Sequence, residues 1–469
     1  MASLFVTHRL AVLVTAGTIA IAPVSAAQTS GGTKSAATSQ PVIDSQPWTG
    51  DFDGMIARRR IRLLVPYSRT LFFVENGKTR GLTAELAHDF ETYLNQKHAK
   101  ELGGQRITID LIPTTRDKLL SGLTAGMGDI SGGNLTATES RMKVADFVAP
   151  TERDPAHEVL VSRSGAPAVA TVDDLSGKKV NVRQASSYHE SLLALNGKLI
   201  AAGKPAVEIV AMPDALEDED LFEMLNAGLF DFMVVDSWKA KLWAQVAPQI
   251  KVHDDIVLRN SGTIGWAIRK QSPKLQAEID GFYKTASQQG LIESRLTGYH
   301  ETLRQIAQTY TGPASGRFGE ALTMYRKYGS RYSVDALMLA DAGFQESQLN
   351  EAAATGAQTA PAGGDPFERN VQAASKYVDQ LMAKNFPDAK FSAFDRTMFA
   401  FASYKAGPDK IALMRTEAAK RGLDPNQWFN NVEQVTAEKL GMETTAYVRN
   451  IMKYDVAYKL MAGQPEVKN

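Results

Sequence analysis

The spacing of apolar residues changes along the chain. Leu10 to Val24 is a mostly apolar run, preceded by His8 and Arg9 and followed by Ser25, Ala26 and Ala27. That order of positive, apolar and small-residue segments predicts a cleaved export signal over residues 1–26. The run contains Gly17 and Pro23 and is shorter than the ~18–20 apolar residues of a bilayer span, so a membrane anchor is the weaker reading. Between Thr29 and Gln46 large apolar side chains nearly vanish, which predicts a flexible linker over residues 27–46 and folding from near Trp48. From Ile61 onward, short buried runs alternate with helical periods. Ile61–Pro66 reads as a strand, Gly81–Phe90 as the opening of an amphipathic helix and Ile107–Ile112 as a second strand. A helix through Asp117–Ala125 and strands at Gly128–Ile130, Lys178–Val182 and Phe232–Asp236 continue the alternation. This pattern predicts two α/β lobes built on open parallel sheets, with ligand sites beyond the strand carboxyl ends.

After Gly312-Pro313-Ala314-Ser315-Gly316 the period becomes helical, placing a domain boundary near residue 312 and an all-α region over residues 312–469. Phe318–Tyr328 is one expected helix and Ser333 caps the next. In that second helix Leu339, Ala342, Gly343 and Glu346 share one stripe, so Glu346 projects from an apolar face. A carboxyl held beside apolar groups has a raised pKa and can serve as a general acid.

Composition narrows the chemistry. Lys plus Arg and Asp plus Glu each total 52, giving a formal net charge of zero and no bulk basic field for nucleic acid. With no cysteine among 469 residues, disulfides, thiolate zinc sites, iron–sulfur clusters and lipid-modified N-terminal cysteine are all excluded. The expected location is therefore the periplasm, either soluble or peripherally attached to a membrane, the outer membrane included. Gly77-Lys78-Thr79 has Phe72 where a phosphate loop needs glycine, and the seven histidines form no ligand spacing. Neither a cofactor nor a metal is expected. Met452, Tyr454, Tyr458 and Met461 stand at helical spacing and read as core.

Two groups of motifs carry resemblances. Leu123–Ile130, Asn134–Arg141 and Val144–Pro150 resemble the periplasmic solute-binding family for polar amino acids, and the likeness extends over roughly residues 55–300. It implies that Arg141 grips a ligand carboxylate with support near Thr136, while Ser186 lies in an anion-holding turn, Gln184–Tyr188. Asp236, at a strand end, is the candidate for the ligand ammonium. Read from the residues alone, Arg141 pairs with Glu139 or Asp146 on the surface and Asp236 caps a helix.

Gln345–Asn350, Ala402–Pro408 and Glu443–Val448 resemble, in order, three motifs of the soluble lytic transglycosylase family of goose-lysozyme-like enzymes. This implies a lysozyme-like fold over residues 312–469 that cleaves the MurNAc–GlcNAc β-1,4 bond of peptidoglycan. Glu346 would protonate the glycosidic oxygen and then accept the MurNAc O6 proton, while O6 attacks C1 to leave a 1,6-anhydro end. Ser347 and Tyr404 would orient acid and sugar, and Lys405, Glu443 and Tyr447 would line the glycan groove. Read without the family, Glu346 is a semi-exposed helix-end residue and Tyr404 a core aromatic. The pairing of the two modules is similar to the membrane-bound lytic transglycosylases, with a regulatory amino acid or muropeptide ligand on residues 47–311.

Two departures from the family leave alternatives open. Thr355–Asp365 keeps only the Gly-Ala of a Gly-Ala-x-Gly-Leu-Met-Gln segment, predicting a shortened or missing groove wall. Lys405 replaces an asparagine, a neutral hydrogen bonder, with a cation that lowers the pKa of a neighbouring carboxyl. A solute sensor with a decayed catalytic domain, or a non-catalytic cell-wall binder, stands beside the enzyme reading.

Overall fold

The computed structural model describes residues 46–75, 78–150, 157–226, 228–309, 376, 379–387 and 389–461. The export signal, the linker to residue 45, the boundary near 312 and the Glu346–Ser347 motif lie outside the described residues.

The first lobe is a five-stranded sheet in the order β4-β1-β5-β12-β6. Its strands are β1 (Arg60–Val65), β4 (Thr108–Pro113), β5 (Ile130–Thr136), β6 (Ala145–Val148) and β12 (Ile264–Arg269). A small hairpin, β2 (Phe73–Glu75) and β3 (Lys78–Arg80), precedes the helix Leu82–Lys97. Gly81 opens that helix at φ 102, where a Cβ would lie 2.6 Å from the Leu71 backbone, so glycine is required on both conformational and steric grounds. The second lobe is a five-stranded sheet in the order β11-β7-β10-β8-β9. It comprises β7 (Glu158–Arg163), β8 (Lys179–Arg183), β9 (Glu208–Met212), β10 (Phe232–Asp236) and β11 (Ile250–Arg259).

Neither sheet is the purely parallel sheet that the alternation predicts. β1 pairs parallel with β4 and β5, but β12 runs against both β5 and β6. In the second lobe β8 pairs parallel with β9 and β10, while β7 runs against β10 and β11. The reversed strands are those at which the chain enters a lobe from the other one. The parallel strands aim their carboxyl ends at the space between the lobes, so a chain crossing that space must start its new strand there and run away from it. Hydrophobic pattern cannot register this, because a buried strand reads alike in either direction.

The core of the first lobe centres on Trp266, fully buried, with Phe90 and Phe282 at ring-centroid distances of 5.8 and 6.3 Å. Burying each such side chain contributes roughly 1.5–3 kcal/mol. The apolar core of the second lobe continues into the C-terminal helices Ala393–Ala406, Pro408–Lys420, Glu433–Leu440 and Met442–Met461. Polar ties add to that contact. Asn430, at φ 59, donates from Nδ2 to Thr115 Oγ1 at 2.6 Å and accepts from the Thr115 amide at 2.9 Å. Thr115 belongs to the first lobe. On the second lobe, Lys453 lies 3.1 Å from Glu223, and Arg449 Nη1 donates to the Ala215 carbonyl at 3.5 Å.

Candidate functional site

Thr136, Arg141, Ser186 and Asp236, four residues singled out in the sequence, line one narrow cleft between the lobes. Thr136 ends β5, and the short helix Glu139–Met142 begins at Thr138, whose hydroxyl accepts from the Arg141 amide. That turn aims Arg141 across the cleft. Its Nη2 donates to the Ala185 carbonyl at 2.9 Å, its Nη1 to the Thr136 carbonyl at 3.4 Å, and its Nε lies 3.1 Å from Glu190 Oε1. The ion pair is therefore with Glu190 of the opposite lobe and not with Glu139 or Asp146; Asp146 pairs with Lys270. Burial lowers the Arg141 pKa, against the opposing pull of Glu190.

On the other wall, Ser186 caps the helix Ser187–Ala201 by accepting from the His189 amide at 3.2 Å, while its hydroxyl donates to the Arg183 carbonyl at 2.6 Å. Its side chain is thus spent on the turn. Asp236 occupies the cap position of the helix Ser237–Ala244 yet makes no capping bond. Its Oδ2 lies 2.9 Å from the Tyr188 hydroxyl and 3.5 Å from Lys239 Nζ, and its Oδ1 has no hydrogen-bond partner among the described residues. Burial raises the Asp236 pKa, Lys239 opposes this, and Asp218 adds to it.

Arg116 and Arg183 also line the cleft, and neither has a signal in the motifs. Arg116 crosses from the first lobe to Glu217 of the second at 2.7 Å, both buried. Arg183, at the carboxyl end of β8, pairs with Asp218, which also holds Lys239 at 2.5 Å. Burial works against the Arg183 charge, but Asp218 and Glu217 outweigh it and raise its pKa. Asn134 stands in the left-handed region at φ 49 on the cleft wall, a conformation retained at ligand sites more often than elsewhere. The position of Arg183 at a strand's carboxyl end is the one feature by which sequence reasoning reaches it.

In the C-terminal helices, Lys405 Nζ lies 2.9 Å from Glu443 Oε1 and 5.8 Å from the centre of the Tyr447 ring. Tyr404 is 39% exposed, so it is not a core aromatic, whereas Tyr447 is buried. Residues of the second and third motifs therefore meet. Glu346 and Ser347 lie outside the described residues. Among the described residues, no group of three or more His, Asp or Glu is placed to hold a metal ion, and no helix is long and apolar enough to cross a membrane.

The chain is similar to the membrane-bound lytic murein transglycosylase F of Ectopseudomonas mendocina (strain ymp), 28% identical over 438 residues, which cover 85% of this chain and 84% of that protein. It is likewise similar to the protein of the same name from Stutzerimonas stutzeri (strain A1501), 27% identical over 391 residues, covering 79% of this chain and 76% of the other. A solved structure of an ancestral arginine-binding protein bound to arginine superposes with a TM-score of 0.42 at 23% identity, covering 52% of this chain and 98% of that one. The family model of the bacterial extracellular solute-binding proteins, family 3, matches residues 65–302, just over half of the sequence, and the chain belongs to that family.

Proposed function

We propose that this chain is a periplasmic peptidoglycan lytic transglycosylase whose residues 47–311 form a ligand-binding module and whose residues 312–469 form a lysozyme-like lytic module. The observation that carries the reading is the meeting of Lys405, Glu443 and Tyr447, which come from two motifs of the resemblance and sit together on neighbouring helices. The relatives named lytic murein transglycosylase F, aligned across both modules, support the same reading.

In the proposed reaction the Glu346 carboxyl donates its proton to the oxygen of the MurNAc–GlcNAc bond as that bond breaks. The substrate's own acetamido group stabilises the oxocarbenium-like C1, the Glu346 carboxylate removes the O6 proton, and O6 closes on C1. One acid suffices because no water is activated, unlike the usual two-carboxylate scheme. Ser347 and Tyr404 orient acid and sugar, and Lys405, Glu443 and Tyr447 form part of the glycan groove. The cleft between the lobes takes a small zwitterion, an amino acid or the free end of a muropeptide, with its ammonium on Asp236 and with Thr136, Arg141 and Ser186 on its walls.

Digestion of purified sacculi, with mass spectrometry of the released fragments, tests the enzyme reading. The expected product carries an anhydro end, and Glu346→Gln is expected to slow its release by about 10²–10⁴-fold while leaving the fold intact. A reducing end would mean hydrolysis. Absence of turnover on several sacculi would instead favour a sensor or cell-wall binder, the reading to which the shortened Thr355–Asp365 segment points.

A further inference from the structure

The second and third motifs of the helical region meet at two helix ends. Lys405 stands in the last turn of the helix Ala393–Ala406, and Glu443 in the first turn of the helix Met442–Met461. Each charge complements its own helix dipole, a cation at a carboxyl end and a carboxylate at an amino end, so neither depends on the other. Their contact is 2.9 Å from Nζ to Oε1, at the surface, with side chains 32% and 83% accessible. An ion pair so exposed adds little to the fold and opens at little cost. Lys405 Nζ also stands 5.8 Å from the centre of the buried Tyr447 ring, which steers a long side chain that otherwise samples many rotamers. The result is an ammonium held in one direction by weak contacts and open to exchange them.

We infer that Lys405 is a specificity-determining residue of the lytic groove that selects for a carboxylate on the glycan substrate, with Glu443 and Tyr447 as the positioning residues that hold its ammonium ready. This inference rests on the lytic reading above and names the substrate chemistry of that site. An ammonium has three donors and no acceptor, so it cannot accept from a hydroxyl or an acetamido N–H, and it gains most from an anion. The sugar rings of peptidoglycan are themselves neutral. Its anions are carboxylates: the lactyl group of MurNAc where no peptide is attached, and the peptide stem where one is. A carboxylate reaching Lys405 displaces or shares the exposed Glu443, which turns to water instead. Because Glu443 repels that carboxylate as it approaches, the preference is moderate, about three- to tenfold.

Kinetics of the full chain on four glycan preparations test this: chains bearing peptide stems and chains stripped of them by an amidase, each before and after conversion of its carboxylates to primary amides. Release of anhydro ends gives kcat and KM. In wild type, amidation is expected to raise KM about three- to tenfold on the preparation whose carboxylate is read, the stripped chains identifying the lactyl group and the stem-bearing chains the peptide. Taking the ratio of native to amidated substrate cancels any effect of the Lys405 charge on Glu346. That ratio is expected to fall to near one in Lys405→Asn, to persist in Lys405→Arg and to invert in Lys405→Glu. A purely structural lysine moves none of these ratios. Wild-type indifference to amidation on both chains, or a preference that survives Lys405→Asn, overturns the assignment. Co-sedimentation with native and amidated sacculi needs no turnover and so separates this inference from the lytic reading. Amidation-sensitive binding that is lost in Lys405→Asn, without any anhydro product, sinks the lytic reading and keeps the carboxylate contact. No turnover, with equal binding of both proteins to both sacculi, overturns the two together.

Discussion

Arg116 of the first lobe and Glu217 of the second hold each other across the cleft by hydrogen bonds of 3.0, 2.9 and 2.7 Å, with side chains 5% and 3% exposed. Arg116 also donates from Nη1 to the Gly133 carbonyl at 2.6 Å, so the guanidinium is fixed to β5 while it grips the opposite lobe. Separating the lobes requires this pair to be broken and both charges to be hydrated.

Removing one partner of a buried pair costs about 3–5 kcal/mol if the other stays buried and unpaired. Here Glu217 can escape that cost by opening the cleft to water. Arg116→Met is therefore expected to expand the protein, read as a larger radius of gyration in small-angle scattering. Adding Glu217→Leu is expected to restore compactness, since no buried charge remains. Unchanged dimensions together with unchanged stability in Arg116→Met would mean the pair does not hold the lobes.

Glu219 offers a pH readout at the same junction. Its carboxylate accepts from the Thr70 amide at 3.2 Å and the Thr70 hydroxyl at 3.4 Å, linking the lobes a second time. Burial, then the neighbouring Glu217 and Asp220, pushes its pKa up from 4.5 to about 7. The folded protein thus holds a proton that the unfolded chain releases, and this stabilisation is complete below pH 4.5 and lost as pH rises through about 7. Glu219→Gln mimics the protonated form. Its melting temperature is expected to exceed that of wild type at about pH 8 and to approach it at about pH 5; an equal difference at both values would show that Glu219 does not titrate in this range.

Arg449 and Glu433 make the corresponding pair at the base of the helical region. Nε and Nη2 of Arg449 donate to the two oxygens of Glu433 at 2.5 and 2.9 Å, with Glu433 fully buried. Arg449 also lies over Phe429 and over Tyr67 of the first lobe, at 5.2 and 5.7 Å from the ring centres. Arg449→Met is expected to destabilise the folded protein by about 3–5 kcal/mol, read from urea unfolding, and Arg449→Met with Glu433→Leu to recover part of it. A loss below about 1 kcal/mol would show that water reaches Glu433.

Lys405 and Glu443 form an exposed pair, with the Glu443 side chain 83% accessible. Such pairs contribute about 0–1 kcal/mol, so Lys405→Asn is expected to leave unfolding nearly unchanged. In the proposed mechanism it also removes a cation from the neighbourhood of Glu346, so the carboxyl holds its proton to higher pH and the alkaline limb of the turnover profile is expected to move up. A large stability loss would give Lys405 a structural role, and an unmoved limb would place its charge away from the acid.

Much of this was written locally. Alternating and periodic runs were enough for β1, β4, β8, β10 and the helix Leu82–Lys97, because side-chain direction repeats every two residues in a strand and every 3.6 in a helix. The likeness to the solute-binding motifs was enough to single out Thr136, Arg141 and Ser186, and a strand's carboxyl end to single out Asp236; the fold brings all four to one cleft. Composition by itself excluded thiolate chemistry. The reversal of β7 and β12 was not legible, because it follows from where the chain crosses between lobes and leaves no mark on hydrophobicity. Nor was the partner of Arg141: sequence neighbours Glu139 and Asp146 were the local options, and the fold supplied Glu190 from the opposite wall. Arg116 with Glu217 and Arg183 with Asp218 were invisible for the same reason. Their pairing depends on bringing distant segments together, and only after burial do charge and hydrogen-bond balance decide which side chains are satisfied.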